Sequence, residues 1–251
     1  MKRVNTSFGK FAEVWDAKTG DKGTSSNPLT LKALLKAVGS VKGKSVYEIA
    51  TGNGFLARNF ARGGAKEVWA SDVAPEMIDI AKNKYDLLKI KYFVRDGTDI
   101  AKFPKNHFDL VVINQGVFYI KDLDALFAGI NKILKPGGQV VLTITHPLFT
   151  MARLDMDGYA SLGKKVNAME IYKHYLRPHP HLIKRTWEVR GKEIPVEYHF
   201  YNRPLYSYFN ALGKHGLYVS EIFEPKSAMK VKGKKLKSNI PGNLVIKAVK
   251  V

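Results

Sequence analysis

Between residues 45 and 145 the chain alternates short apolar runs with amphipathic segments, and this alternation restricts its fold more than any other feature. The apolar runs predict five strands, at Ser45–Ala50, Glu67–Ser71, Ile90–Val94, Phe108–Ile113 and Gln139–Thr145. Helical spacing predicts the segments between them, at Phe55–Arg62, Pro75–Leu87 and Leu123–Leu134. Strands that alternate with helices need crossover connections and form a sheet that is covered on both faces. The sequence therefore predicts an α/β fold with a doubly wound, mostly parallel sheet.

We predict a single domain that spans residues 1–251, in which the segments outside this alternating core add further helices and strands. Helices are expected at residues 8–20, at Leu29–Val38 and around Arg203–Lys214. Leu217–Phe223 and Asn243–Val251 are predicted to form an antiparallel C-terminal hairpin at one sheet edge. Residues 146–202 show no clean alternation and hold five of the seven histidines. Because this region is too long for a plain connection, we predict that it is an inserted substrate cap.

The composition excludes several classes of protein. The chain has no cysteine, which excludes a disulfide framework, thiol catalysis and cysteine-ligated metal. We find no run of about eighteen apolar residues that could cross a membrane, and no apolar run behind the basic start that would suggest a secretory signal. A cytoplasmic protein without membrane contact is therefore expected.

The charge of the chain leaves one choice open. Lysine and arginine outnumber the acids by 41 to 22, a net charge of +19, and six lysines fall within Lys226–Lys237. The composition predicts that this basic segment is a loop, which either attracts a polyanion such as RNA or only keeps the protein soluble. The segment has no aromatic residue on which bases could stack, which argues against a nucleic-acid surface.

The strongest chemical signal is the segment from Glu48 to Phe55, which contains Gly52 and Gly54 between a predicted strand and a predicted helix. Glycines at such a turn let the backbone approach a ligand, and the following helix N-terminus favours an electron-rich group. Together with Ala57 these two glycines also match the dinucleotide-binding pattern. The turn by itself therefore leaves a nicotinamide-dependent oxidoreductase open.

Three acids follow or end successive predicted strands, and they favour a different ligand. Asp72 is placed to bind two ribose hydroxyls, and Asp96, followed by Gly97, to accept from an amine on a purine edge. Glu48 lies within the first strand, where a carboxylate needs a cationic or donor partner. A pyrophosphate is itself anionic, so the acid at Glu48 suits a cation-bearing nucleoside with an amino-acid tail better than a dinucleotide.

With these motifs, the segment from Val46 to Thr145 resembles the class I S-adenosylmethionine-dependent methyltransferases, of the small-molecule type that includes the quinone-biosynthesis enzymes. The run from Asp72 to Met77 resembles the family's ribose-binding stretch, and the run from Phe108 to Gln115 its fourth-strand motif. Ala50 departs from the family pattern, because it stands where the first motif normally has its first glycine. The resemblance implies a Rossmann-like methyltransferase fold with S-adenosylmethionine as the cofactor.

The resemblance also implies which residues bind the cofactor. They are Trp15, Glu48, Ala50, Gly52, Gly54, Asp72, Val73, Met77, Asp96, Gly97, Asn114 and Gln115. Simpler roles compete with this one: the glycines could serve only the turn, Asp72 could cap the helix that follows it, and Trp15 could be a core residue.

The candidate catalytic residues come from the end of the fifth strand and from the predicted cap. Methyl transfer mainly requires positioning, and it needs a base only when the acceptor loses a proton. His146 is the first candidate base, although it could instead bond backbone, and Tyr198 and His199 come next. Arg203 could hold a substrate carboxylate or pair with a structural acid. No metal is predicted, because the histidines of the cap lack regular ligand spacing.

These observations favour transfer of a methyl group from S-adenosylmethionine to a small-molecule acceptor. A tRNA methyltransferase of the same fold is the first alternative, and it depends on the basic segment. An NAD-dependent oxidoreductase is the second alternative, and it depends on the glycine pattern alone. A cofactor-binding protein without catalytic activity is a further possibility.

Overall fold

The structure of the 251-residue chain is a computed structural model that describes residues 12–20, 28–85, 90–146, 179–189, 192–231 and 234–251. The helices are α1 (Ala12–Thr19), α2 (Pro28–Val38), α3 (Phe55–Arg62), α4 (Pro75–Tyr85), α5 (Leu123–Ile133) and α6 (Leu205–Lys214). The first strands are β1 (Ser45–Ile49), β2 (Glu67–Asp72), β3 (Ile90–Val94), β4 (Phe108–Asn114) and β5 (Leu134–Thr145). The later strands are β6 (His179–Val189), β7 (Lys192–Asn202), β8 (Leu217–Phe223), β9 (Lys226–Val231), β10 (Lys234–Pro241) and β11 (Asn243–Lys250).

Seven of these strands form one sheet in the order β3-β2-β1-β4-β5-β11-β8. The first five are parallel to one another, whereas β11 runs antiparallel to both β5 and β8. The predicted doubly wound, mostly parallel sheet and its antiparallel C-terminal pair are therefore confirmed. The common dinucleotide-binding order continues 4-5-6 with parallel strands. Here an antiparallel strand lies beside β5 instead.

The sheet has a hydrophobic core on each face, because successive residues of a strand point to opposite sides. Tyr47 and Ile49 of β1 pack into the core that contains α5 and α6, whereas Val46 packs into the core that contains α2, α3 and α4. Both cores consist of aliphatic and aromatic side chains with almost no solvent exposure. The carboxyl ends of the parallel strands therefore have a rigid support.

The structure corrects three details of the sequence analysis. Lys226–Lys237 was predicted to be a loop, but its described residues lie in the antiparallel pair β9 and β10. The fifth strand begins at Leu134 and not at Gln139 as predicted. The run from Pro136 to Gly138 therefore lies within the strand, where the register of its pairing with β4 shifts. Within residues 146–202, β6 and β7 form a two-stranded antiparallel hairpin that the pattern did not indicate. Residues 8–11 of the first predicted helix and residues 147–178 of the predicted cap lie outside the described residues.

Among the residues that the structure describes, no helix has the length and apolar character needed to span a bilayer.

Candidate active site

The turn after β1 depends on left-handed backbone at alternate positions. Ala50, Gly52 and Gly54 have φ angles of 57°, 58° and 78°. A Cβ on Gly54 would lie 2.5 Å from the Tyr92 hydroxyl and 3.2 Å from Ala81, so a side chain there would clash with the packed interior. The two glycines therefore shape the turn that their spacing predicted.

Ala50 adopts the left-handed conformation that favours glycine. The neighbouring residue after β4 is Gly116, which has no side chain to contact the Ala50 methyl group. A Cβ on Gly116 would lie 2.5 Å from the Ala50 methyl group. The methyl group thus occupies space that a side chain at residue 116, just beyond β4, would need. The missing side chain at Gly116 therefore leaves space for the methyl group that Ala50 adds where the family pattern has glycine.

Asp72 joins the end of β2 to the glycine turn. Its Oδ2 accepts from the Gly52 N–H at 2.9 Å, and its Oδ1 accepts from the Ala74 N–H at 3.0 Å. Burial raises the pKa of this carboxyl group, while the N–H groups of Ala74, Gly52 and Val73 oppose the rise. Carboxylate oxygens have further acceptor capacity, so Asp72 can still accept from an incoming hydroxyl. Capping of the α4 segment and ligand binding are thus compatible roles.

Glu48 faces into the turn, underneath its backbone. Its side chain is 2% exposed and accepts from the Thr51 hydroxyl at 2.6 Å. Burial raises its pKa to about 8, and the Thr51 hydroxyl and the Ala57 N–H are the main groups that oppose the rise. The donor partners that a buried acid requires are therefore present, and they belong to the turn and to α3. In this structure Glu48 supports the turn from within.

Asp96 lies just after β3, at the same edge of the sheet as Asp72. Its Oδ1 accepts from both the backbone N–H and the hydroxyl of Thr98, at 2.8 Å each. A Cβ on the adjacent Gly97 would lie 3.0 Å from both Ile49 and Ile120, so a side chain at residue 97 would be crowded by these two residues. The structure thus brings Asp72, Asp96 and the glycine turn to one edge, as the sequence predicted.

Asn114 and Gln115, at the end of β4, belong to a hydrogen-bond network that reaches distant parts of the chain. The Thr143 hydroxyl donates to Asn114 Oδ1 and accepts from the Gln115 N–H. Gln115 has a φ of 55°, and its side chain donates to Asn243 Oδ1 at 3.0 Å. Asn243 in turn donates to Thr30 of α2. Sequence reasoning missed both residues, because Thr143 comes beside Asn114 through the pairing of β5 with β4, and Asn243 comes here through the antiparallel pairing of β11 with β5.

Helix α1 covers the glycine turn. A Cβ on Gly52 would lie 3.7 Å from Trp15 Nε1, so the indole ring stands beside the turn. Trp15 is half-buried and packs, with Ile80, against a small cluster that contains Met77 and Ala74. Trp15 of α1 thus packs on the cluster around Met77 and also borders the glycine turn.

An aromatic wall connects the turn after β4 with the hairpin of β6 and β7. Phe118 stacks on Phe200, with ring centroids 4.8 Å apart, and Tyr119 meets Tyr198 edge to face at 5.6 Å. Because residues 198 and 200 alternate along β7, they face the same side of the hairpin. Sequence reasoning named Tyr198 but missed the other three rings of the wall, although the run Val117–Tyr119 directly after β4 was an available signal for two of them.

The four predicted catalytic residues lie in three different settings. His146 is buried after β5, and its Nε2 is 3.3 Å from Glu224 Oε1. Tyr198 belongs to the aromatic wall. His199 is exposed and stacks on Tyr201, and the Arg203 guanidinium lies 5.0 Å from the same ring. Arg203 donates to the carbonyl oxygens of Ile120 and Lys121 at 2.7 Å each, so these two bonds go to backbone carbonyl groups and not to a structural acid.

Comparison with known proteins shows what the central part of the chain resembles. Residues 47–142 match the family described as a methyltransferase domain. The chain contains a methyltransferase domain. The ubiquinone/menaquinone biosynthesis C-methyltransferase UbiE of Psychromonas ingrahamii is 32% identical over 154 residues, a match that spans 55% of this chain and 61% of that protein. The chain thus spans about three fifths of the length of this relative.

Solved structures share the fold of this methyltransferase domain. An S-adenosylmethionine dependent methyltransferase from Mesorhizobium loti superposes with a TM-score of 0.64 at 18% identity, covering 92% of this chain and 100% of that one. The magnesium protoporphyrin IX methyltransferase of Synechocystis, solved with bound SAH, superposes with a TM-score of 0.55 at 14% identity, covering 88% and 81%. The Rossmann-like methyltransferase fold that the sequence predicted is confirmed.

The side chains at this edge of the methyltransferase domain suit an S-adenosyl nucleoside. Such a ligand presents ribose hydroxyls and an exocyclic amine, and Asp72 and Asp96 are acceptors at neighbouring strand ends. Gly52 has no side chain to block a ligand, and Trp15 of α1 lies beside it. Asp72 would also suit the ribose of a dinucleotide, so the antiparallel β11 beside β5 and the match of residues 47–142 are what separate the two ligands.

Proposed function

We propose that the chain is an S-adenosylmethionine-dependent methyltransferase that acts on a small-molecule acceptor. The observation that carries this proposal is the bond between the Gly52 N–H and Asp72, which joins the glycine turn to the acid at the next strand end. The antiparallel β11 beside β5 and the match of residues 47–142 support it against an oxidoreductase. Ligands of open α/β sheets bind at this carboxyl edge.

Residues around the glycine turn would hold the cofactor. Asp72 would accept from the ribose and Asp96 from the adenine amine, while Gly52, Gly97 and Trp15 would border the ligand. Glu48 would contribute indirectly by fixing the turn. Asn114 and Gln115 would position the end of β4 through their bonds to Thr143 and Asn243. When bound, S-adenosylmethionine supplies an electrophilic methyl group on its sulfonium.

The acceptor would bind against the aromatic wall, with residues 146–202 as its cap. Phe118, Tyr119, Tyr198 and Phe200 offer flat apolar surfaces, which suit a planar aromatic acceptor. The relative from Psychromonas ingrahamii is named for quinone biosynthesis, so aromatic quinols are the first acceptors to test. His146, held beside Glu224, would take the proton from an acceptor that must lose one.

A labelled-methyl assay tests this function. The chain is incubated with S-adenosylmethionine that carries an isotopic methyl group, together with demethylated quinol analogues or with unmodified tRNA. The proposal predicts label in the quinol fraction, and less label in Asp72→Ala when the cofactor concentration is limiting. Label that enters tRNA and no small molecule would support the alternative that the basic segment suggests.

A further inference from the structure

One side chain of the glycine turn fastens α1 to the site. Asn53 is 4% exposed, and its Nδ2 donates to Asp16 Oδ1 and to the Gly20 carbonyl oxygen at 2.9 Å each. The Thr19 hydroxyl lies 3.4 Å from the same nitrogen. All three partners lie in the second half of α1 or directly after it. The amide of Asn53 therefore joins two segments that are more than thirty positions apart in the chain.

The turn side of this contact is rigid. The carbonyl oxygen of Asn53 accepts from Arg58 Nη1 at 2.6 Å, and the Arg58 side chain is 1% exposed. Arg58 lies close enough to the Glu48 carboxyl group to lower its pKa, which links this arginine to the support of the turn. Because Arg58 holds the backbone of Asn53, a movement of α1 would break the hydrogen bonds of the Asn53 side chain.

The helix side of the contact has little support of its own. An isolated helix of eight residues is not stable in water, and the apolar cluster beneath α1 consists of a few side chains around Met77. Asp16 is 3% exposed, and burial of a carboxylate is costly unless a donor binds it. Asn53 supplies a donor to this carboxylate and so helps to hold Asp16 in its buried position.

We propose that Asn53 is a positioning residue that latches α1 over the cofactor, so that release of this latch sets how fast the cofactor enters and leaves. The inference rests on the proposed function. Trp15 lies on the same helix one residue before Asp16, and its indole nitrogen stands beside Gly52. Opening the Asn53 contact therefore uncovers the glycine turn, and closing it covers a nucleoside held by Asp72.

The test compares Asn53→Ala with a matched control, Asn59→Ala. Asn59 Nδ2 donates to the Phe55 carbonyl oxygen within α3, so the control removes an amide hydrogen bond without touching α1. Hydrogen exchange of the ligand-free protein reports the position of α1, and stopped-flow kinetics report the release of S-adenosylhomocysteine. We expect Asn53→Ala to lose protection at residues 16–20 and to release the ligand about tenfold faster, as loss of two hydrogen bonds allows. Asn59→Ala should change neither.

A second variant keeps the proposal testable if Asn53→Ala does not fold. Asp16→Ala removes one of the two bonds from the helix side and leaves the turn and the bond to Gly20 intact, so it should expose α1 to a smaller extent. The double variant should then be no more exposed than Asn53→Ala, because that change already removes the bond to Asp16. Unchanged protection of α1 in these variants, or unchanged release of S-adenosylhomocysteine, would overturn the latch. Failure of the wild-type chain to bind the ligand would overturn the proposed function, whereas the exchange measurement would still test the contact itself.

Discussion

The backbone N–H of Gly52 donates to Oδ2 of Asp72 at 2.9 Å, so the glycine turn after β1 and the acid at the end of β2 form one unit. The second oxygen of Asp72 accepts from the Ala74 N–H, which fixes the plane of the carboxylate. A ligand hydroxyl therefore meets an acceptor whose position is set before binding. Such preorganisation lowers the entropic cost of binding.

We expect Asp72→Ala to weaken binding of S-adenosylhomocysteine by about 1–3 kcal/mol, the usual cost of losing a charged hydrogen-bond partner. Calorimetric titration measures this change. Asp79→Ala is the matched control, because Asp79 is an exposed acid on the neighbouring α4 and should leave affinity unchanged. Equal affinity of folded Asp72→Ala and wild type would show that the ribose is held by other residues.

We expect the stability of the protein to fall as pH rises, because Glu48 titrates abnormally. Its pKa is raised from 4.5 to about 8 in the folded protein, so the folded state binds more protons than the unfolded state between these values. Stability from this group is complete below pH 4.5 and is lost as pH rises towards 8, with a slope of at most about 1.4 kcal/mol per pH unit.

Denaturant unfolding from pH 5 to pH 8 measures this slope, and Glu48→Gln is the comparison. The variant keeps the shape of the side chain but has no proton to lose, so its slope should be smaller. Burial also raises the pKa of Asp72, which leaves a residual slope of the same sign in the variant. Identical slopes in both proteins would mean that Glu48 is ionised in the folded state.

We expect Arg203→Lys to reduce stability without changing cofactor affinity. Arg203 donates through Nη2 to the carbonyl oxygens of Ile120 and Lys121, and a lysine cannot reproduce this planar geometry. Leaving these carbonyl groups without their donor should cost about 1–3 kcal/mol, measured by denaturant unfolding. A variant with wild-type stability that no longer transfers the methyl group would instead indicate that Arg203 binds the acceptor.

We expect the basic hairpin to be dispensable for cofactor binding and for methylation of a small acceptor. A variant with Lys230, Lys234, Lys235 and Lys237 changed to Gln removes four charges from β9 and β10. The control removes four charges from exposed lysines elsewhere, at Lys42, Lys66, Lys82 and Lys105. A gel-shift titration with tRNA at several salt concentrations should not distinguish the two variants. Loss of binding and a flatter salt dependence in the hairpin variant alone would favour RNA as the partner.

The sequence predicted the parts of the molecule that depend on local pattern. Alternating strands and helices gave the sheet, and the spacing of Asp72 and Asp96 placed both acids at one edge. It could not predict contacts that arise from chain topology, such as Gln115 with Asn243, which are 128 positions apart. It also could not show that the Glu48 side chain accepts hydrogen bonds from Thr51 and Ala57, because the sequence of a strand does not reveal which donors will surround one of its residues. The cytoplasmic location and the substrate cap stay predictions.

Titration calorimetry of the wild-type chain with S-adenosylhomocysteine, and separately with NAD, tests the central claim most directly. The glycine turn, Asp72 and Asp96 predict binding of S-adenosylhomocysteine with a dissociation constant on the order of micromolar, near −8 kcal/mol. No measurable heat is predicted with NAD, because residues 47–142 match a methyltransferase domain and an antiparallel strand lies where the dinucleotide-binding sheet has a parallel one. Heat with NAD and none with S-adenosylhomocysteine would contradict the account.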